Sequence, residues 1–231
     1  MILRSKEKAL IFDSSTLISL SMNNLFNEIR GLKKIYKGKF LITKEVKGEI
    51  IDKPMTIKRF ELEAIRLKQL LDEGILEMPS SLGVSDRDIS NSTYDILERG
   101  NKIMNGRGRD IHLIDLGECS ALALSKILTA KGIENVLAVD ERTTRMLSEK
   151  PENLRKLMEE RLHTPIKAKE ENYSFFKDFR FIRSTELIYV AYKKGIIKSN
   201  DKNMLDALLY ALKFKGTAIS DDEINEIKKL A

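Results

Sequence analysis

The chain of 231 residues has a single cysteine, Cys119, and only two histidines, His112 and His163. One cysteine excludes an intrachain disulfide framework, and these three residues are too few for a zinc centre of the usual nitrogen and sulfur ligands. Any metal bound by this chain is therefore expected to be held by oxygen. There are four prolines and no linker rich in glycine and serine, which argues against two domains on a flexible tether. No apolar run approaches the roughly 20 residues needed to cross a bilayer. The opening "MILRSKEKAL" lacks the sustained apolar region of a signal peptide, so a cytoplasmic protein without a membrane partner is expected.

Hydrophobic residues make up 42% and charged residues 33%, the balance of a charge-rich globular protein rather than a disordered one. The length suits one well-packed core with additions. Net charge is +6, and from Lys150 onward 17 Lys/Arg face 13 Asp/Glu. A mild excess of this kind is compatible with a polyanionic partner such as nucleic acid, and equally with a solvated lysine-rich surface.

Residues 8–13 read as a short buried strand, and Ser14 opens a helix carrying Leu17, Ile18, Leu20 and Leu25. "KFLIT" is a second strand ending at Thr43, after which "KEVKGEII" turns into a helix. Residues 56–73 place Ile57, Phe60, Ala64, Leu67, Leu70 and Leu71 at helical spacing, Gly74 stops that helix, and "ILEM" before Pro79 reads as a third short strand. Residues 80–93 read as a loop, a helix follows from about Tyr94 to Met104, and "NGRGRD" ends it in a basic turn. "DLGECSALALSKILTAKG" is a helix stopped by Gly132; "NVLAVD" is a strand ending in Asp140, and "ERTTRMLSEK" the helix after it. Strands alternating with helices argue for a parallel sheet covered on both faces, with ligands outside the carboxyl ends of the strands. Residues 1–150 are expected to form this α/β domain, with a helical insertion at about 52–110. Residues 151–231 are expected to be a mostly helical extension packed on it, with an irregular stretch at 163–183 that includes a strand "FRFIR". The aromatic residues between Tyr173 and Phe181 fit core packing better than base stacking.

Two predicted strands run directly into aspartates, Asp13 and Asp140. Taken singly, the acids have modest roles available: Asp13 and Asp140 as helix N-caps, Asp115 and Glu118 as a capping box, Glu45 and Glu49 as surface residues. Taken together, they lie at the carboxyl edge of strands or at the start of the helices that follow. Carboxylates crowded there repel one another, and a divalent ion with oxygen ligands, Mg²⁺ or Mn²⁺, removes the conflict. Such an ion acidifies bound water and neutralises charge on a phosphoryl oxygen, which points to phosphodiester hydrolysis.

Four segments in this order resemble the PIN-domain ribonucleases. "IFDSSTLISL" is similar to that family's opening strand and Asp-[Ser/Thr]-Ser turn, and "ITKEVKGEI" to the segment with its second acid. "DLGECSALALS" resembles the "GEaeAiaLA" pattern of one prokaryotic group, and "VLAVDERTTRML" the strand and "D-[DE]-x-x-[AT]-R" step with the fourth acid. The resemblance covers roughly half the chain and extends to the C-terminal helices. It implies a three-layer α/β/α fold with a central parallel twisted sheet, and metal-dependent cleavage of RNA. By position it implies Asp13, Glu49, Glu118 and Asp140 as the acids that hold Mg²⁺ or Mn²⁺ and carry catalysis, with Asp115 as an outer ligand; Glu45 is the alternative second acid, and Glu49 is preferred because it stands three residues after Val46, as in the family pattern. Ser15 would hydrogen-bond a carboxylate or a metal-bound water. Lys44, Lys47, Arg142 and Arg145 flank the acids and are candidates for contacting phosphate. The partners implied are RNA and, as in toxin–antitoxin pairs, an antitoxin or other protein; a second copy of the chain is a further candidate. The competing expectation is a non-catalytic nucleic-acid-binding or assembly module with the same fold. A phosphatase with an aspartyl nucleophile is disfavoured, because Ser15 stands where its second aspartate would be required.

Overall fold

A computed structural model describes residues 7–230. Its strands are, in chain order, β1 (Lys8–Phe12), β2 (Lys39–Leu41), β3 (Met104–Gly106), β4 (Arg109–Asp110), β5 (Glu134–Ala138), β6 (Ile166–Ala168) and β7 (Phe181–Ile182). Four of them form the central sheet in the order β2-β1-β5-β7, every pair parallel. The others make a small antiparallel sheet, β4-β3-β6. The helices are α1 (Ser14–Met22), α2 (Phe26–Ile35), α3 (Lys44–Lys47), α4 (Glu61–Asp72), α5 (Asp86–Asn101), α6 (Leu116–Ala130), α7 (Arg142–Glu149), α8 (Pro151–Leu162), α9 (Ser184–Lys193), α10 (Met204–Phe214) and α11 (Asp221–Lys229). No helix among the described residues is long and apolar enough to cross a membrane.

Successive residues of a strand face opposite sides, and both sides of this sheet are buried. Ala9, Ile11 and Leu137 enter one core with α5, α6, α7 and α8; Leu10, Phe12 and Ala138 enter the other with α1, α2, α4 and α9. The result is the three-layer α/β/α fold. Burial on two faces is also why β1 reads as an unbroken apolar run and not as an alternation. Because the strands are parallel, Asp13 after β1, Thr43 after β2 and Asp140 after β5 all emerge at one edge.

Several elements differ from expectation. The first helix breaks at Asn24, whose φ is 57°, so Leu25 precedes a separate helix, α2. The expected loop at 80–93 is in large part helix: Ser85 caps α5, its Oγ accepting from the Asp88 N–H at 3.2 Å, and Ile89, Thr93 and Ile96 are buried along one stripe. The polar residues that suggested a loop line the solvent face of that helix. "NGRGRD" is a β-hairpin with Arg107 and Gly108 at φ 52° and 78°, the left-handed pair of a type I′ turn. "ILEM" makes a single bridge, Leu41 to Glu77, and no strand, since Pro79 ends the pairing. The helix expected from residue 56 begins only at Glu61, which with Glu63 puts two acids in its first turn, where the dipole favours them. Beyond Lys150, β7 completes the central sheet against β5. Tyr173 and Phe176 are buried and Phe175, Phe179 and Phe181 pack on the same core, so these aromatics serve packing.

Candidate active site

Asp13 leaves β1 and caps α1: its Oδ2 accepts from the Ser15 N–H at 3.0 Å and from the Ser15 Oγ at 2.6 Å. The capping role is therefore real. It occupies only one oxygen. Oδ1 is buried and has no hydrogen-bond partner among the described residues, although such acceptors are costly to leave bare. Burial, with the charge of Glu49 added, pushes the Asp13 carboxyl up to about 6 against the pull of Ser15.

Glu49 sits on a π turn, Gly48–Asp52, that continues α3. Insertions of this kind frequently mark functional sites. Its carboxylate lies against Gly117 in the first turn of α6: a Cβ added to Gly117 would meet Glu49 Oε2 at 2.5 Å and Oε1 at 2.6 Å. Glu49 accepts no hydrogen bond and makes no ion pair among the described residues. Glycine at 117 is thus a seat for this acid. Gly117→Ala is expected to leave the fold intact, since alanine favours the helix by up to ~1 kcal/mol and only a side-chain terminus must move. Glu49 is displaced, and any divalent-ion affinity that the pocket has, measured by calorimetry, should fall about tenfold or more, the order of effect seen when a metal ligand loses its support.

Glu118, on the same turn of α6, is held at both oxygens: Oε2 accepts from the Asp115 N–H at 2.8 Å, and Oε1 from the Thr144 hydroxyl. The first contact is the return half of the capping box expected from the D-x-x-E spacing. Burial and then the charge of Asp13 push its carboxyl up to about 8. Asp115 is exposed, its Oδ1 2.7 Å from His112 Nε2. Glu141 caps α7, accepting from the Thr144 N–H at 3.0 Å. Asp13, Glu49, Asp115, Glu118 and Glu141, with Ser14, Ser15, Ile18, Leu113 and Leu116, line one pocket of about 500 Å³.

Asp140 departs from the expected convergence. It is fully buried, and its Oδ1 accepts from the Ser184 N–H (2.7 Å) and Thr16 Oγ1 (3.2 Å), its Oδ2 from Ser184 Oγ and Thr217 Oγ1 (both 2.6 Å). Four donors satisfy this carboxyl and face it away from the pocket, and Glu141, one residue on, stands there in its place. Asp140 reaches the site only through its backbone, whose N–H donates to Ser15 Oγ at 3.1 Å. Nor do the proposed phosphate contacts line the pocket. Lys47 pairs with Asp52, Arg145 donates to the Ala218 carbonyl oxygen, and Lys44 and Arg142 are exposed elsewhere. Glu45 does not line it either. Sequence reasoning missed Glu141, the Thr144 hydroxyl and the seat at Gly117, although "GE" and "DE" stood beside the residues chosen.

The pocket resists holding its charge. Asp13 and Glu118 have folded values raised above their ordinary 3.8 and 4.5. Stability from their protonated forms is complete below about pH 4 and is lost as pH rises through about 6 for Asp13 and about 8 for Glu118. The Asp13 share alone is of the order of 3 kcal/mol. Urea titrations without metal should therefore show stability falling between about pH 4 and pH 8; a flat or rising profile would contradict the crowding.

The donors fit a hard divalent cation: all are oxygens, one is a buried orphan, and Glu49 is unengaged. The acids share a pocket without closing on one centre, for among the described residues no group of three or more His, Cys, Asp or Glu stands at metal-holding spacing. In comparisons with protein-family models, curated proteins and solved structures, the chain matches none.

Proposed function

We propose that this pocket is the active site of a hydrolase that cleaves RNA phosphodiester bonds, with Asp13, Glu49 and Glu118 drawing in around Mg²⁺ or Mn²⁺ from the wider spacing they have without it and with Asp115 and Glu141 at the rim. The observation that carries the reading is the bare, buried Oδ1 of Asp13 in one pocket with two further carboxyls, one of which burial pushes up to about 8. When bound, the ion would neutralise phosphoryl charge and acidify a water. The chain supplies the rest. Ser15 fixes Asp13 through Oδ2 and leaves Oδ1 facing outward from the cap, while Thr144 and the Asp115 N–H fix Glu118. The preference for RNA rests on the resemblance of the four acid-bearing segments and on the net charge of +6.

Two measurements test the reading on the full chain. Calorimetric Mn²⁺ titration at pH 7, in buffers of different ionisation enthalpy, should show a saturable site releasing about one proton, since Glu118 must give up its own to become a ligand. Labelled single-stranded RNA should be cut with Mn²⁺ present and left whole with chelator. No saturable site, or cleavage indifferent to chelation, would reject the assignment and favour a non-catalytic module.

A further inference from the structure

An apolar groove of about 660 Å³ adjoins the acid pocket and shares Ile18 and Glu49 with it. Met22, Ile57 and Phe60 line it and are 48%, 37% and 44% exposed, high values for large apolar side chains. By spacing, Ile57 and Phe60 continue the buried stripe of Ala64 and Leu67. Because α4 starts only at Glu61, the turn before it takes both out of the core and leaves them as groove wall. Three polar features accompany this wall. The Arg59 guanidinium lies 5.5 Å from the centroid of the Phe60 ring. Lys53 and Arg59 line the groove and pair with no acid among the described residues. Glu63 lines it too, and its Oε2 is buried with no hydrogen-bond partner.

We infer that this groove is a nucleobase subsite, and that the base it takes is a guanine of the RNA strand next to the bond being cleaved; the inference rests on the acid pocket being an RNA-cleaving site. An aromatic ring with a guanidinium beside it is a stacking platform for any base. Unpaired Lys53 and Arg59 suit the phosphates on either side of it. The bare carboxylate oxygen of Glu63 decides which base. Guanine carries N1–H and N2–H donors side by side on its pairing edge, whereas adenine and cytosine set one amino donor beside a ring-nitrogen acceptor and uracil sets one N–H between two carbonyl oxygens, acceptors that would oppose the carboxylate. An apolar side chain from a protein partner would fill the groove without supplying the hydrogen bond that Glu63 Oε2 already lacks, whereas a base edge gains that bond. Continuity with the acid pocket places the base one nucleotide from the chemistry.

The test uses the full chain in chelator, so that nothing is cut, titrated with 5′-GMP and 5′-UMP and followed by methyl NMR shifts and calorimetry. 5′-GMP should saturate at the groove residues and bind about tenfold tighter than 5′-UMP, the order of discrimination a base-edge contact gives. Phe60→Ala should weaken both ligands about tenfold, and Glu63→Gln should weaken 5′-GMP alone and erase the preference. Both positions are in part solvent-exposed, and circular dichroism would check that the variants fold. Equal affinity for the two nucleotides would overturn the inference, as would unchanged 5′-GMP binding in either variant. So would an amphipathic peptide that occupies the groove while 5′-GMP does not. The two readings fail separately: base-selective binding without metal-dependent cleavage would remove the active site and keep the subsite as a nucleotide site, and cleavage with no base preference would do the reverse.

Discussion

Under the proposed function, Asp13→Asn is expected to lower RNA cleavage about a thousandfold, because an ion held there would supply several kcal/mol of transition-state stabilisation and each 1.36 kcal/mol is a factor of ten. In the same variant, stability at pH 8 is expected to rise by about 2–3 kcal/mol. Loss and gain come from one fact. Asp13 is 1% exposed, and its ionised form is disfavoured by burial and by Glu49. An amide has no charge to desolvate. It also keeps the cap, since asparagine is as good an N-cap as aspartate and its oxygen can accept from Ser15 N–H and Oγ as before. Its NH₂ would take the place of the bare Oδ1, where a donor facing acids is welcome. Urea unfolding at pH 8 and about pH 3 reads the stability term, which should disappear at the lower pH, where the wild-type group is protonated in both the folded and the unfolded chain. A variant that cuts RNA at the wild-type rate would remove Asp13 from the site. One that loses stability at pH 8 would show that the carboxylate serves the helix cap and nothing more. Opposed effects of this kind mark side chains held for chemistry at the expense of the fold.

Much of the architecture was legible because its signals are local. The apolar runs at 9–12 and 136–139 and the helical stripe of α6 each declare their element within a few residues. Elements that escaped were those whose type depends on distant partners. The segment "ILEM" has strand composition, but only Glu77 finds a neighbour, in β2. The start of α5 looks like a loop until its sparse apolar positions, Ile89, Thr93 and Ile96, meet α6 and the core behind it. Ile57 and Phe60 keep perfect helical spacing and yet lie outside the helix, since periodicity records a pattern and not where the backbone starts to coil.

The site was legible in its residue types and less so in its directions. Asp13, Glu49, Asp115 and Glu118 meet in one pocket, as expected from the rule that strand ends at one edge gather side chains. Capping and a shared pocket were weighed as rivals and do not exclude each other: Asp13 caps with one oxygen and leaves the other bare, and Glu118 closes half a capping box while lining the pocket. Asp140 shows what spacing cannot tell. Adjacent residues after a strand point to opposite sides, and whether Asp140 or Glu141 faces the pocket depends on donors 44 and 77 residues away in sequence, at Ser184 and Thr217.

Asp140 therefore gives the second large effect, on folding. Asp140→Ala would leave the Ser184 N–H and the hydroxyls of Ser184, Thr217 and Thr16 without their shared acceptor, all in residues that are fully or nearly fully buried. Each unmatched group costs about 1–3 kcal/mol, with the hydroxyls at the low end because they can turn toward one another, so a loss of about 4–5 kcal/mol is expected. For a chain of this length that is a fall in Tm of about 10–15 °C. The conservative variant separates support from ligation. In Asp140→Asn the oxygen can still accept from the Ser184 N–H and Thr16, and the amide can donate to the Ser184 and Thr217 hydroxyls once these reverse. That protein should fold with most of its stability and retain RNA cleavage within about tenfold, the usual range for a residue acting through a neighbour. Its contribution passes through the backbone N–H that steadies Ser15, which no side-chain change removes. If Asp140→Asn instead lost cleavage as completely as Asp13→Asn while keeping its Tm and its Mn²⁺ stoichiometry, the carboxyl would have to turn toward the pocket during the reaction, and Asp140 rather than Glu141 would be the fourth acid.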